Sequence, residues 1–244
     1  FYKNIYVVAK DQSLHFKQVF STVKKMGYDW ADDCIHVPFG LVRFPDKKLS
    51  TRKGDVVFLE DLLNEAVVKT EEIINEKNPT LENKKEVAKK VGIGAVVFAY
   101  LKNSRERDII FDWDEMLSFE GETGPYVQYT YARIRSILRK IEGFQPMPYN
   151  GNEQTLFPAE KDVLIHLEQF PSVIEQAGKE HNPSLIAIYA FQLAKLFNTL
   201  YTEHSIIKAE SEDKKSLRLQ IASFTSMVIA TAMELLGIQV PERM

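Results

Sequence analysis

The sequence predicts an α/β domain followed by an all-α helical bundle, and three observations support this. Apolar runs at 5–9 and 34–37, with a helical pattern at 14–25 between them, have the spacing of a strand, a helix and a strand in a doubly wound sheet. From Leu59 onward, apolar residues recur at helical spacing almost throughout. A segment with three prolines at 142–158 predicts a loop between helices.

The α/β part consists of the strand, the helix and the second strand. Gly27 ends the helix, and the second strand lies before Pro38. Ligands of doubly wound sheets bind beyond the carboxyl ends of the strands. This places Gln12 and His15 at the ligand edge, together with the residues 39–42. Because a buried strand needs neighbours on both sides, an apolar strand so early in the chain indicates that the chain was cut from a longer protein.

Periodic apolar residues predict helices over most of the remainder. The predicted helical segments are 59–77, 83–102, 125–141, 159–177, 184–208 and 213–236. The breaks between them fall at Asn78-Pro79, at 103–108 and at 142–158. No internal repeat is visible.

The composition is that of an ordinary globular chain. Of the 244 residues, 45% are apolar and 27% are charged, which excludes disorder as the default. The formal net charge of −3 gives no bulk signal of nucleic-acid binding, so any basic site must be local, and we expect no DNA partner. The single cysteine, Cys34, excludes a disulfide scaffold and a thiolate metal site within one chain. No histidine has a partner at metal-ligand spacing, so we expect no metal site. We also expect no signal peptide, no membrane span and a cytoplasmic protein.

The residues 43–55 are polar and basic, which predicts a loop. Its candidate phosphate-binding residues are Lys48, Ser50, Thr51, Arg52 and Lys53. A mobile loop of this kind can close on a triphosphate, where its cations neutralise charge on the leaving pyrophosphate and its hydroxyls bond phosphate oxygens. On composition alone, a solvated surface loop is the more common interpretation of such a run.

The helix predicted at 125–141 has Pro125 well placed at its first position. At about 100° per residue, its core stripe contains Val127, Tyr131, Ile134, Leu138 and Ile141. A second stripe contains Tyr126, Tyr129, Arg133 and Lys140, and a third contains Gln128, Arg135 and Arg139. Aromatic rings alternating with cations on one exposed face suit stacking on unpaired bases and contact with phosphates. A helix with basic side chains at a domain edge explains the pattern equally well.

Other candidate residues carry weaker signals. His15 and Gln18 lie one helical turn apart after a strand end and could face a ligand, although a lone histidine is more often structural. The acidic residues between 112 and 122 are more typical of a solvated face than of catalytic carboxylates. The sequence contains no P-loop, nucleophile elbow or dinucleotide-binding fingerprint.

Five segments in the same order resemble the class I arginyl-tRNA synthetases. The segments are 7–18, 36–42, 50–54, 122–129 and 237–244. The first is similar to the strand and helix that enter the second half of that family's catalytic domain, and the second to its adenine-side segment. The third resembles a degenerate KMSKS loop and the fourth the entry into the anticodon-binding domain. The fifth resembles the usual end of the family.

The resemblance implies a fold and an activity. It implies the C-terminal part of a Rossmann-like class I catalytic domain at 1–117, followed by a helical-bundle anticodon-binding domain at 118–244. L-Arginine and ATP, with Mg²⁺, would form arginyl-adenylate and pyrophosphate. The arginyl group would then pass to tRNA(Arg). We expect no tightly bound cofactor and a monomeric parent protein.

The resemblance also implies roles for individual residues. Gln12 would contact the substrate arginine, and His15 and Gln18 would lie near ATP. The residues beside the adenine would be Phe39, Gly40, Leu41 and Val42. The phosphates would meet Lys48, Ser50, Thr51, Arg52 and Lys53. The anticodon site would contain Tyr126, Tyr129, Arg133, Tyr201 and Met244.

Two features depart from the family pattern. In the KMSKS-like loop, Thr51 stands for the second lysine and Arg52 for the last serine, so Arg52 or Lys53 would supply the charge. The HIGH-type motif and the N-terminal tRNA-contacting domain are absent from the 244 residues. We therefore expect that the chain alone does not activate arginine. The alternative function, from a different class, is a non-catalytic module that binds tRNA or a partner.

Overall fold

The computed structural model describes residues 2–45, 57–141 and 156–244. The strands are β1 (Asn4–Ala9), β2 (Cys34–Phe39), β3 (Val42–Arg43) and β4 (Ile109–Ile110). The helices are α1 (Ser13–Lys25), α2 (Leu59–Lys77), α3 (Lys84–Leu101), α4 (Trp113–Met116), α5 (Gly124–Arg139), α6 (Pro158–Glu168), α7 (Phe170–Glu180), α8 (Ser184–Glu203) and α9 (Glu212–Leu235). The described residues divide into two compact units, the first with 2–45 and 103–112 and the second with the remainder.

The first unit is built on two parallel strands. β1 pairs with β2 over all six residues of each strand. The helix α1 between them packs on the pair through aromatic rings, since the ring centroid of Phe16 lies 5.2 Å from that of Tyr6 and 4.5 Å from that of His36. Gly27 follows α1 with a φ of +87°, a backbone conformation that glycine adopts at little cost. The predicted strand–helix–strand order is confirmed.

The end of β2 and a second strand pair differ from the prediction. β2 continues through Pro38 to Phe39, because within the described residues it is paired on one side only, and an edge strand tolerates the missing N–H of proline. The parallel pair of β3 with β4 is absent from the sequence prediction, since strands of two residues leave no periodic pattern. This pair brings 103–112 into the first unit.

The second unit begins with α2 and α3, which pack closely against each other. Both agree with the predicted helices to within one residue at each end. A Cβ on Gly92 of α3 would lie 2.7 Å from the main-chain oxygen of Ala66 of α2, so this close approach requires glycine. The sequence prediction placed both helices with the catalytic part, before a boundary at 117/118. In the structure they share a compact unit with the later helices, and the boundary stays a prediction.

The helices α5, α6, α8 and α9 enclose the main core of the second unit. Its fully buried side chains include Phe98, Val127, Ile134, Val163, Leu193, Phe197, Ile221, Ile229 and Met233. The continuous helix predicted at 159–177 is wrong, because Pro171 near the start of α7 cannot donate an N–H to the last turn of α6. The helix predicted to reach 208 ends at Glu203. An α/β unit followed by a helical bundle is the predicted architecture.

Among the described helices, none is both long and apolar enough to cross a membrane.

Candidate functional site

The carboxyl end of β1 carries the first group of predicted site residues. A single 3₁₀ turn, Lys10–Gln12, follows the strand directly and leads into α1. Gln12 at the end of this turn is exposed, as are His15 and Gln18 in α1. These three side chains therefore lie at the sheet edge where ligands of doubly wound folds bind.

The segment after β2 carries the second group. Phe39 and Leu41 are exposed, Val42 is half-buried and Gly40 is buried. The N–H of Gly40 donates to the main-chain oxygen of Arg105 over 2.7 Å. A Cβ on Gly40 would lie 2.1 Å from the main-chain oxygen of Arg107, so a residue with a side chain does not fit here.

Asp108 holds this segment to the end of β1, and the sequence analysis did not identify it. Its carboxylate accepts a hydrogen bond from Lys10 Nζ over 2.8 Å. It also accepts from the Leu41 N–H over 3.0 Å and from Arg43 Nε and Nη2 over 3.0 and 2.7 Å. The hydrogen bonds from Lys10, Leu41 and Arg43 hold the pKa of Asp108 well below its usual range. No local pattern marks Asp108, because its partners lie more than 60 residues away in the sequence.

The predicted phosphate-binding loop lies outside the described residues. This applies to Lys48, Ser50, Thr51, Arg52 and Lys53.

The helix α5 presents the third group of site residues. Its N-terminal end is set by Thr123, whose hydroxyl accepts the N–H of Tyr126 over 3.2 Å, and by Pro125 in the first turn. Gly124 lies against α3, since a Cβ there would approach the main-chain oxygen of Gly94 to 2.8 Å. This local sequence fixes where α5 begins and therefore which side chains face its neighbours.

Arg133 lies between two tyrosine rings. Its guanidinium carbon is 4.7 Å from the ring centroid of Tyr129 and 5.2 Å from that of Tyr201, which is a double cation–π arrangement. Both rings remain about two-fifths exposed. The guanidinium also donates to Asn198 Oδ1 over 2.5 Å, which orients it. The structure thus joins Tyr129, Arg133 and Tyr201 into one surface, as the sequence pattern predicted for the first two.

This surface forms part of an open groove of about 640 Å³, here called the aromatic groove, which Tyr129, Arg133, Tyr201 and Met244 line. Its further cations are Arg139, Lys140 and Arg243, and its described lining contains no acidic residue. Exposed aromatic rings beside cationic side chains are suited to unpaired bases and their phosphates. The net charge of the chain allowed only a local basic site. The structure has such a site on α5 and its neighbours.

Tyr126 differs from the expectation of an exposed ring. It is half-buried, its ring centroid lies 5.5 Å from that of Phe191, and its hydroxyl accepts a hydrogen bond from Asn198 over 3.0 Å. Asn198 in turn accepts from Arg133. The helical wheel placed Tyr126 on the stripe of Tyr129, but α8 covers that end of the stripe. Tyr126 therefore contacts Asn198, which binds Arg133 of the groove, and does not itself present an exposed ring.

The third stripe of α5 holds the final segment of the chain, Gly237–Met244. The side chain of Gln128 is fully buried, and its Nε2 donates to the main-chain oxygens of Lys90 and Gln239 over 3.0 and 2.7 Å. Arg135 Nε donates to Glu242 Oε2 over 2.8 Å, and Arg139 donates to the main-chain oxygen of Glu242 over 3.0 Å. These cations therefore bind protein rather than facing solvent alone.

Glu242 also accepts a hydrogen bond from the Tyr131 hydroxyl over 2.7 Å. Partial burial acts to raise the pKa of Glu242, but the hydrogen bonds from Arg135 and Tyr131 and the charges of Arg135 and Arg139 outweigh it, so the pKa lies below its ordinary value. Burial and the bond to Glu242 raise the pKa of Tyr131 to about 12. Glu242 is therefore an anion that sequence reasoning missed, because nothing local to it reveals its partners.

Met244 lies in the aromatic groove and packs against the core of α2 and α3 that contains Ile74, Val87 and Val91. Asn78 Nδ2 donates to its main-chain oxygen over 3.4 Å, a long hydrogen bond. The sequence-based grouping of Met244 with Tyr129, Arg133 and Tyr201 thus has a matching arrangement in space.

No group of three or more His, Cys, Asp or Glu side chains suitable for a metal ion occurs in the described parts of the chain.

Two family models match the chain in the order of its two parts. The catalytic domain of the class I tRNA synthetases (R) matches residues 1–113, and the DALR anticodon binding domain matches residues 127–244. The two matches assign the α/β unit and the helical bundle to the class I aminoacyl-tRNA synthetases.

The similarity to curated relatives indicates which family within this class the chain resembles. The chain is 57% identical to the arginine–tRNA ligase of Clostridium kluyveri and 53% identical to that of Clostridium perfringens, over its whole length in both cases. It covers 43% of each relative.

Solved structures agree with this assignment. The arginyl-tRNA synthetase of Thermus thermophilus superposes with a TM-score of 0.89 at 32% identity, over 99% of this chain and 41% of that one. The arginyl-tRNA synthetase of Plasmodium falciparum has the same fold, with a TM-score of 0.80 at 24% identity over 98% of this chain and 41% of that one. The chain belongs to the arginyl-tRNA synthetase family. The family resemblance read from the five sequence segments is confirmed.

Proposed function

We propose that the chain supplies the KMSKS side of the nucleotide site and the anticodon-binding domain of an arginine–tRNA ligase. The reaction joins L-arginine and ATP into arginyl-adenylate with release of pyrophosphate, and the arginyl group then passes to tRNA(Arg). The observation that carries the proposal is Arg133 held between Tyr129 and Tyr201 on a cationic groove. The names of the curated relatives support the same reaction. They give no support to a non-catalytic module.

In this proposal the first unit binds the small substrates. Gln12 contacts the arginine, and His15 and Gln18 contact the ATP from the edge of β1. Phe39, Gly40, Leu41 and Val42 flank the adenine, where a backbone held by Asp108 gives a defined surface. The buried Gly40 leaves no side chain between this segment and 105–107.

The loop cations act on the phosphates. Lys48, Ser50, Thr51, Arg52 and Lys53 close on the triphosphate and stabilise charge that develops on the leaving pyrophosphate. Mg²⁺ enters with the nucleotide, since magnesium at phosphates keeps several waters and needs few protein ligands. When bound, it neutralises charge on the phosphate oxygens.

The second unit binds the anticodon. Unpaired bases stack on Tyr129 and Tyr201, and Arg133, Lys140 and Arg243 meet phosphates or base edges. Met244 contributes to the apolar lining of the groove, and Tyr126 positions Arg133 through Asn198. We also propose a cytoplasmic location, which the single cysteine fits, and a monomeric parent protein.

The test measures the binding of two anticodon stem-loops by fluorescence anisotropy over a series of salt concentrations. One stem-loop carries an arginine anticodon and the other a mismatched anticodon. Arg133→Ala should weaken binding of the matched stem-loop. It should also make the plot of the logarithm of the binding constant against the logarithm of the salt concentration less steep, by the amount expected for about one phosphate contact. Arg133→Lys is the control for charge, and it should keep the slope while losing affinity, because a lysine cannot stack as a planar guanidinium does. Equal affinity for both stem-loops in the unmodified chain would contradict the proposal.

A further inference from the structure

We propose that Glu242 is a positioning residue that holds Arg243 and Met244 in the aromatic groove, so that recognition of the anticodon depends on a carboxylate that does not itself touch RNA. This inference rests on the proposed function of the groove.

The contacts of Glu242 fix its place on α5. Its two carboxylate oxygens divide between two donors, with the Tyr131 hydroxyl at 2.7 Å on Oε1 and Arg135 Nε at 2.8 Å on Oε2. Arg139 donates to its main-chain oxygen over 3.0 Å and lies 3.6 Å from Oε2. Side chain and main chain are thus both held, which defines the position of the residues on either side.

The preceding part of the segment brings Glu242 to this place. Gly237 ends α9 with a φ of +75°, and the N–H groups of Gly237 and Ile238 bond the last turn of the helix over 2.8 Å each. Ile238 is buried, and Gln128 binds the main chain of Gln239. The chain therefore crosses α5 at a fixed point, and Glu242 is the last contact before the two residues that line the groove.

The charges of α5 explain why this contact matters for RNA. The helix and its end carry Arg133, Arg135, Arg139 and Lys140, with no acid between 125 and 141. Glu242 pairs with two of them, Arg135 and Arg139. Without the carboxylate, these two guanidinium groups would lose their anionic partner and be freer to meet phosphates. Arg243 and Met244 would lose the anchor that precedes them, while the packing of Met244 on α2 and α3 and the 4.0 Å approach of Arg243 to Glu82 would remain. Selective binding would therefore weaken relative to binding through charge.

The experiment compares Glu242→Ala and Glu242→Gln with Glu234→Ala in the whole chain. Glu234 is an exposed acid near the end of α9 that lies outside the groove lining, so its variant removes the same charge and serves as the matched control. Hydrogen exchange of the amides in 237–244 reports the position of the segment. Anisotropy with matched and mismatched anticodon stem-loops over a salt series reports recognition.

We expect Glu242→Ala to speed exchange in the segment and to reduce the matched-to-mismatched affinity ratio about tenfold. The dependence of the binding constant on salt concentration should become steeper, by the amount expected for up to about two phosphate contacts, because Arg135 and Arg139 no longer pair with a carboxylate. Glu242→Gln should keep part of the exchange protection, since an amide oxygen still accepts from Tyr131, but should show the steeper slope. Glu234→Ala should match the unmodified chain in every measurement.

Unchanged exchange in Glu242→Ala, or faster exchange with an unchanged affinity ratio, would overturn the positioning role. A shallower salt slope would also contradict it. If the unmodified chain binds neither stem-loop selectively, the proposed function of the groove is wrong, and the exchange data then show separately whether Glu242 holds the segment.

Discussion

Gln128 on α5 donates a 2.7 Å hydrogen bond to the main-chain oxygen of Gln239, which lies 111 residues further along the chain. The same Nε2 donates to the main-chain oxygen of Lys90 on α3. One buried amide thus joins three parts of the second unit. Gly94 provides the room, since a Cβ there would lie 2.7 Å from Gln128 Nε2.

Replacing this amide should destabilise the second unit. Gln128→Leu introduces an apolar side chain of similar size and removes the donor to the Gln239 main-chain oxygen, which costs about 1–3 kcal/mol for a buried group left unpaired, whereas the Lys90 oxygen keeps its bond within α3. Urea denaturation followed by circular dichroism measures the free energy of unfolding. Gln220→Leu, a partly buried glutamine on α9, is the comparison, and an equal loss in both variants would show that Gln128 has no special role.

Tyr129→Ala should weaken binding of an arginine-type anticodon stem-loop by about 1–3 kcal/mol, the range for removal of one aromatic platform under a base. The ring is about two-fifths exposed, so the fold should persist. Phe224→Ala removes a more exposed ring from α9 outside the groove and is the matched control. If the two variants bind RNA equally well while both remain folded by circular dichroism, Tyr129 is ordinary surface.

Asp108→Asn should disturb the segment 39–42 in the first unit. The amide cannot hold Lys10 and Arg43 by charge, so one anchor of the Leu41 backbone weakens, while the Ile109 N–H still donates to the Leu41 main-chain oxygen over 2.9 Å. In a polypeptide that carries the remaining length of the relatives, we expect a several-fold rise in KM for ATP with a smaller change in kcat. Asp32→Asn breaks an exposed ion pair with Lys24 in the same unit and should leave both constants unchanged. A fall in kcat alone would place Asp108 in another role.

Glu160 should contribute to the acid sensitivity of the helical bundle. It is fully buried and accepts hydrogen bonds from Lys214 Nζ at 2.5 Å, Arg218 Nε at 2.8 Å and the Phe157 N–H at 2.9 Å. Burial acts to raise the pKa of Glu160, but these donors outweigh burial and hold the pKa below its ordinary value. A lowered carboxyl pKa stabilises the fold above the unfolded pKa, and that contribution is lost as the pH falls through the folded value.

Glu160→Gln should therefore cost up to about 3–5 kcal/mol at neutral pH, because it removes the buried carboxylate that Lys214 and Arg218 share, although Arg218 keeps its ion pair with Glu210. The free energy of unfolding of the variant should depend less on pH below about 5 than that of the unmodified chain. Urea midpoints over a pH series measure both effects. Glu175→Gln on α7 removes an exposed partner of Lys179 and should change neither, so a similar loss there would contradict the assignment.

Arg52→Ala and Lys53→Ala should lower the rate of adenylate formation more than they weaken arginine binding. Cations that meet the leaving pyrophosphate stabilise the transition state preferentially, at about 2–3 kcal/mol for each lost charge-assisted contact. Arginine-dependent exchange of pyrophosphate into ATP measures the rate of adenylate formation, in a polypeptide that carries the remaining length of the relatives. An effect confined to the KM for arginine would mean that the loop does not act on phosphates. The 244-residue chain alone should show no exchange.

Local sequence predicted the parts of this protein that depend on neighbours within a few residues. The strand at 5–9 and the helix α2 follow from spacing of apolar residues, and the start of α5 follows from Thr123 and Pro125. The stripe of Tyr129 and Arg133 was visible for the same reason, because a helix places residues four apart on one face. The order of five short segments was enough to indicate the family.

Contacts between distant residues could not be predicted in this way. Asp108 meets Arg43 across 65 positions, and Glu242 meets Arg135 across 107, so no local pattern pairs them. The helical wheel also could not show that α8 covers Tyr126 while Tyr129, one turn on, remains exposed. Side-chain burial and charge pairing are properties of the packed chain. Only the tertiary arrangement places Arg135 and Arg139 against Glu242, where they hold the segment that ends at Met244.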